Sequence, residues 1–484
     1  MKLFTIGDSI SQGFMSGAAA RTDLCYSTLI SKALGSKDYN YPKWDAGGLP
    51  VNIENIFRKL NDEFGHTLNT IEWVVAFNSI AKLLNECEDY YEKGIGGENN
   101  QYPGKIDSFH NIAVRGFNVS DSWLLNGRLC LEKIRSQNNI AGDGWLSAPD
   151  DSLYRTALKV LNPSLAPKHE DKSQLDWMAY HTQNEEIENV IIWLGSNNAL
   201  GTILDMSIRY TNGSGEVSGL DHFEIVKEGW NLWHPEDFKQ DYSTLLNKVD
   251  DILKESPNTK VFIGTIPLVT IAPLAKGVGE TYDVDVVDLE GYSSTISYFK
   301  YYTYFPFDED YAFRTGINLS FTQVYHIENC IRQYNRIIKQ LLEEHDKKHQ
   351  GRYFLVDIAG ALEKLAIKRN KGIPKYQFPS YFDFKYPIPN TKYYHADKDG
   401  KLKQGGIFSL DGVHPSAIGQ GLIAHEFLKV MEQSGAGVSP DQLDWKGIFD
   451  SDELYQNPIP TMHEIYENTN MAEVIMKILK RLRK

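Results

Sequence analysis

Cysteine is scarce, and no apolar stretch is long enough to cross a bilayer. The four cysteines, Cys25, Cys87, Cys130 and Cys330, are scattered over 484 residues. None forms a close pair with the spacing of a metal site or redox motif. Buried free thiols in a reducing compartment are therefore expected over a disulfide framework. No apolar run approaches the roughly 20 residues that a membrane helix needs. Positive charge is also short, with 50 Lys and Arg against 64 Asp and Glu, a formal net charge of -14. Long-range repulsion then disfavours nucleic acid and anionic membrane surfaces, leaving neutral or cationic partners. Met1–Ile6 runs straight into Gly7-Asp8-Ser9, leaving no room for the three regions of a signal peptide. A cytoplasmic location is expected, although a secreted chain trimmed of its leader would begin in the same way.

What is present reads as a soluble globular chain, 42% hydrophobic and 24% charged. Length alone allows about three domains. Short apolar runs at Lys2–Ile6, Ile112–Val114, Val190–Leu194, Val261–Ile266 and Tyr353–Ile358 predict buried parallel strands. Helical spacing at Ser243–Leu253, Ile331–Leu342 and Ile418–Met431 alternates with them. Together they predict an α/β fold with a mostly parallel sheet and helices on both faces. In such folds functional groups gather beyond the carboxyl ends of the strands. The segments near 40–108, 199–240, 271–325 and 371–405 read as large insertions. Because the chemistry-bearing motifs span residues 7 to 414, one discontinuous catalytic domain over 1–437 is expected. A helical appendage over 438–484 follows, with an amphipathic pattern at Met471–Lys484 suited to docking on the same protein or a partner subunit.

Gly7-Asp8-Ser9-Ile10 and Asp411-Gly412-Val413-His414-Pro415-Ser416 carry the chemistry. A serine, a histidine and a carboxylate are the groups that split an ester through an acyl-enzyme. Ser9 follows the first strand at the mouth of a helix; a plain helix N-cap is the alternative role for it or for Asp8. Asp411 can hold one imidazole nitrogen of His414 so that the other takes the serine proton. Asn197, just past Val190–Leu194, can offer an amide donor to an oxyanion, and Gly116 a backbone N–H with no side chain in the way. The polar turn His395–Gly400 lacks the glutamate of a calcium loop, so no metal and no cofactor is expected. The aromatics of 271–325 and 371–405 suit either packing against the core or stacking on sugar rings.

In these residues the chain resembles the SGNH (GDSL-type) hydrolase family, over perhaps half its length. Ser9, Gly116, Asn197 and His414 follow the order of the four family blocks, and Asn111–Asp121 is similar to the second. The resemblance implies a flavodoxin-like three-layer sandwich and a metal-free serine esterase or lipase mechanism. It also implies Asp411 as the triad acid, with the Ser9 and Gly116 amides and the Asn197 side chain as the oxyanion hole. One position departs: the third block usually reads Gly-x-Asn-Asp, and Asn198 stands where the aspartate would be.

The expectation is a serine ester hydrolase (carboxylic ester hydrolase, acetylesterase class) that deacetylates a carbohydrate or small ester. A lipid or long-acyl esterase, an acyl transferase using the same residues, and an inactive glycan- or partner-binding scaffold remain alternatives. Small-molecule or carbohydrate esters are the expected partners, with no nucleic acid and no membrane span. A homo-oligomer is left open.

Overall fold

The computed structural model describes residues 2–68, 70–137, 149–349 and 351–467. Met471–Lys484, read above as an amphipathic helix, lies outside the described residues. Four strands, β1 (Leu3–Gly7), β2 (Asn189–Trp193), β3 (Lys260–Gly264) and β4 (Tyr353–Val356), form an all-parallel sheet in the order β1-β2-β3-β4. Their apolar runs are continuous because both faces are buried. Phe4, Ile6, Val190, Ile192, Val261 and Ile263 face one core. Leu3, Ile191, Trp193, Phe262 and Val356 face the other.

Helices on both faces frame this sheet: α1 (Ser9–Gln12), α2 (Tyr26–Ala33), α3 (Asn197–Asp205), α4 (Pro235–Ile252), α5 (Phe321–Asp346), α6 (Ile358–Leu365) and α7 (Ala417–Gln433). α4 and α5 bury Leu245, Val249, Ile331 and Ile338 in the first core. α2 and α7 bury Tyr26, Ile30, Phe427 and Met431 in the second. Both α4 and α5 start earlier than their periodicity predicts. Pro235 opens α4 under a His234 cap, and a Ser320–Gln323 capping box opens α5.

The expected strand at Ile112–Val114 is reduced to a single parallel bridge, Thr5 with Asn111. Its amides still reach β1, from Ile112 to the Thr5 carbonyl and from Val114 to that of Gly7 (both 3.1 Å). The Ala113 N–H points away from β1 and is taken by the Asn111 side chain at 3.0 Å, while the Ile112 carbonyl accepts from Gln174 Nε2 at 2.7 Å.

The insertions carry structure of their own. Residues 40–108 contain the helices Ile53–Phe64 and Thr70–Glu88. Residues 199–240 contain the short helices Glu216–Gly219 and His222–Glu228. In 271–325, Ala275–Val287 and Ser293–Tyr304 pair as a long antiparallel hairpin. Its aromatics mostly pack: Tyr298, Tyr302, Tyr304, Phe305 and Phe307 are buried, while Tyr292 is exposed. Within 371–405, Phe382 is buried but Phe384 and Tyr386 face solvent. From the segment after 437, Val438, Leu443 and Ile448 join the core beneath α7. All four cysteines are buried free thiols. Among the described residues, no helix is long and apolar enough to cross a membrane.

Candidate active site

Ser9 sits at the first position of α1, directly after β1. The turn between them is tight: a Cβ on Gly7 would lie 2.2 Å from the Ser11 hydroxyl, so a larger residue cannot be seated here. Asp8 is the N-cap and accepts from the Ile10 amide at 3.1 Å, which leaves Ser9 free for chemistry. Both alternatives for this motif are thus resolved: Asp8 caps and Ser9 does not.

The loop before α7 lies over this turn although 405 positions separate the two in sequence. His414 Nε2 lies 2.9 Å from Ser9 Oγ, and His414 Nδ1 lies 3.0 Å from Asp411 Oδ2. Asp411 also accepts from the amides of Val413 and His414 (both 2.8 Å) and of Gly17 (2.9 Å). Burial raises the Asp411 pKa, but His414 and these donors outweigh it and hold the carboxyl below its ordinary value. An ionised carboxylate only accepts, so Nδ1 carries the imidazole proton. Nε2 is then left as the acceptor facing the Ser9 hydroxyl. The Phe14 ring packs on the imidazole, with centroids 4.6 Å apart.

Gly116 and Asn197 reach the same chamber. Ser9, Arg115, Gly116, Asn197, Trp230, Asn231 and His414 are among the walls of an open cavity of about 230 Å³. Gly116 has φ +78°, and a Cβ there would approach Leu153 Cδ1 to 2.8 Å. Asn197 Nδ2 donates to the Phe117 carbonyl at 2.8 Å, and its second hydrogen meets Asp8 Oδ2 only at 3.4 Å. Burial pushes the Asp8 carboxyl up to about 7, with the Ile10 amide and His414 pulling partly back.

The departing residue, Asn198, is fully buried, and its Oδ1 accepts from the Val119 amide at 3.2 Å. It therefore supports the Gly116 loop through its Oδ1, while its buried Nδ2 has no partner. A second clamp on the same loop is buried beside it: Asp121 accepts from Asn118 N at 2.9 Å and pairs with His222 Nδ1 at 2.6 Å.

Several residues that hold the site carry no motif signal. Gln12 Oε1 accepts from Arg115 N (3.0 Å), and Gln174 Nε2 bridges the carbonyls of Gly7 (3.0 Å) and Ile112 (2.7 Å). Ser16 exchanges bonds with Ser409 and Leu410 (2.9 and 3.2 Å), tying the segment after α1 to the acid loop. Only their nearness to Gly7-Asp8-Ser9 in the chain hints at Gln12, Ser16 and Gly17.

Among the described residues, the one cluster with the composition of a metal site is His110, His181 and Glu185, with candidate ligand atoms within 4.8 Å of one another. It lies beside the middle of β1, set back from Ser9, since the His110 carbonyl bonds Thr5 N while Val114 reaches Gly7. Two of its ring nitrogens have partners, His181 Nδ1 with Glu185 Oε1 at 2.7 Å and His110 Nδ1 accepting from Asn40 N at 2.9 Å, while the buried His181 Nε2 has none. No family model matches the chain, and no curated protein matches it.

Proposed function

We propose that the chain is a serine ester hydrolase of the SGNH (GDSL-type) kind. The observation that carries this reading is the continuous relay Ser9 Oγ, His414 Nε2, His414 Nδ1, Asp411 Oδ2, with contacts of 2.9 and 3.0 Å. The order of the sheet supports the family reading: with the bridge segment at its edge, the strands run second, first, third, fourth, fifth along the chain. That is the order of a flavodoxin-like sandwich, with its switch point beside β1, where Ser9 lies.

In the reaction, His414 Nε2 takes the Ser9 proton as Oγ bonds the ester carbonyl carbon. The negative charge gathers on the former carbonyl oxygen, within reach of the Ser9 and Gly116 amides and Asn197. Asn197 can turn its second N–H from the long contact with Asp8 to this oxygen. The carbon–oxygen bond to the alcohol then breaks, and His414 returns its proton to the leaving oxygen. Water repeats the sequence to free the acid and regenerate Ser9. The chamber offers the Trp230 ring face to the alcohol, which suits a carbohydrate or another hydroxyl-rich group.

A glycan-binding scaffold is disfavoured by the same relay, because binding alone gives no reason to aim an imidazole lone pair at a serine. Labelling of the whole chain with a fluorophosphonate probe tests the proposal. Modification at Ser9, lost in Ser9→Ala and His414→Ala, is the expected result. Unlabelled but folded wild-type protein would favour the scaffold.

A further inference from the structure

A second cavity opens on the other side of the Ser9–His414 pair, and it is of a different kind. It has a volume of about 100 Å³ and is walled almost wholly by apolar groups. Its shape follows from two helix stripes. α6 contributes Ile358, Ala361, Leu362 and Leu365; α7 contributes Gly419, Leu422, Ile423 and Glu426. Each set is spaced i, i+3, i+4, i+7, one face of a helix, so the cavity is a slot between two facing helices.

Polar groups occur at the ends of this slot. Ser9, Ser196 and His414 stand at one end. α7 begins three residues after His414, so its stripe leads away from the serine, over about 10 Å of helix rise from Gly419 to Glu426. There Tyr376, from the insertion 371–405, donates to Glu426 Oε1 at 2.7 Å, while Glu426 Oε2 pairs with Lys429 at 2.9 Å. The charge at this end is thus already satisfied, and nothing between the two ends asks for a polar ligand.

We propose that this slot is an acyl-chain site: the substrate's acyl group lies between α6 and α7, with its tail ending at the Tyr376–Glu426 pair. The proposal rests on the ester hydrolase reading and adds its acyl specificity. Acetate would leave the slot without an occupant. Each methylene moved from water into it favours the reaction by about fourfold. An extended chain of about eight carbons spans the helix rise, and a longer one must break the Tyr376–Glu426 bond. The two cavities then divide the ester between them, with an unbranched medium-length acyl chain on one side of Ser9 and a polar alcohol on the other.

The test is a series of nitrophenyl esters from acetyl to palmitoyl on the full chain, with active sites titrated by a small fluorophosphonate. In the wild type kcat/KM should climb with chain length and fall beyond about eight carbons. Leu422→Trp and the milder Ala361→Leu narrow the slot from opposite helices, and each should lower the octanoyl-to-acetyl ratio at least tenfold. Tyr376→Ala should move the optimum to longer chains. An acetyl preference in titratable wild type, or ratios that neither narrowing variant moves, overturns the slot while leaving the hydrolase reading intact. No hydrolysis at any length together with no labelling of Ser9 overturns both.

Discussion

Asp8 stands between two roles, helix cap and neighbour of the site, and its titration separates them. The carboxyl is buried and its pKa is raised to about 7, against an unfolded value near 3.8. Between these pH values the folded chain holds a proton that the unfolded chain has released, so stability falls as pH rises from 4 to 7 and levels off above. An asparagine in its place would cap Ile10 equally well without ever ionising. Asp8→Asn should therefore match the wild type in thermal midpoint near pH 4 and exceed it at pH 8; parallel curves would mean that Asp8 is not protonated in the folded state. Asn197 is the complementary case. Its donor is needed only once negative charge develops, so Asn197→Ala should lower kcat on the order of 100-fold with little change in KM. A raised KM with kcat unchanged would make Asn197 a binding group instead.

The loop from Gly116 to Asp121 is held as a unit, and no single residue in it accounts for its position. Val119 N on Asn198 and His222 on Asp121 fix it from outside, and Asn118 N on Asp121 closes it on itself. Asn198→Ala leaves the buried Val119 N–H without an acceptor, which costs about 1–3 kcal/mol. It should also lower kcat about tenfold by loosening Gly116, while Ser9 remains open to a fluorophosphonate; unchanged kcat despite the stability loss would detach this loop from the chemistry. These clamps also mark how far sequence reasoning reaches. Asp411 and His414 are three residues apart, so one loop supplies both halves of their bond, and local spacing is enough to find it. Asn198 is visible only as a departure, because its partner lies 79 residues earlier. The edge segment at 111 escapes because the Gln174 side chain takes its Ile112 carbonyl, a long-range contact that apolar periodicity does not register. The hairpin in 271–325 does carry a period-two signal in Tyr298, Lys300, Tyr302 and Tyr304, but aromatic richness masks it. The slot is invisible for another reason: each stripe looks like an ordinary core-facing helix, and the space between them belongs to neither.

The insertions are fastened to the body by a buried charge as well as by apolar packing. Glu328 on α5 and Arg369 are both fully buried and form an ion pair. Tyr298 and Tyr302 of the hairpin close around them: Tyr298 donates to Glu328 at 2.5 Å, Arg369 donates to the Tyr302 hydroxyl at 2.5 Å, and the guanidinium stacks 4.6 Å from the Tyr298 ring centre. Thr270 bonds both members of the pair. Burial alone would raise the Glu328 pKa, yet Arg369 and Arg332 outweigh it and keep the carboxyl below its ordinary value. A pair buried this way adds little net stability over apolar packing, but removing one member strands the other without compensation. These two tyrosines, which sequence alone leaves open as sugar platforms, serve as walls of this charge site. Glu328→Gln should thus cost about 3–5 kcal/mol in denaturant unfolding, far more than an exposed Glu→Gln change. Because the pair joins hairpin, α5 and the segment after α6, tryptophan fluorescence and far-ultraviolet dichroism should still report one coincident transition in the wild type. A separate early transition in the wild type, or a Glu328→Gln loss below about 1 kcal/mol, would mean that the hairpin folds as an independent unit.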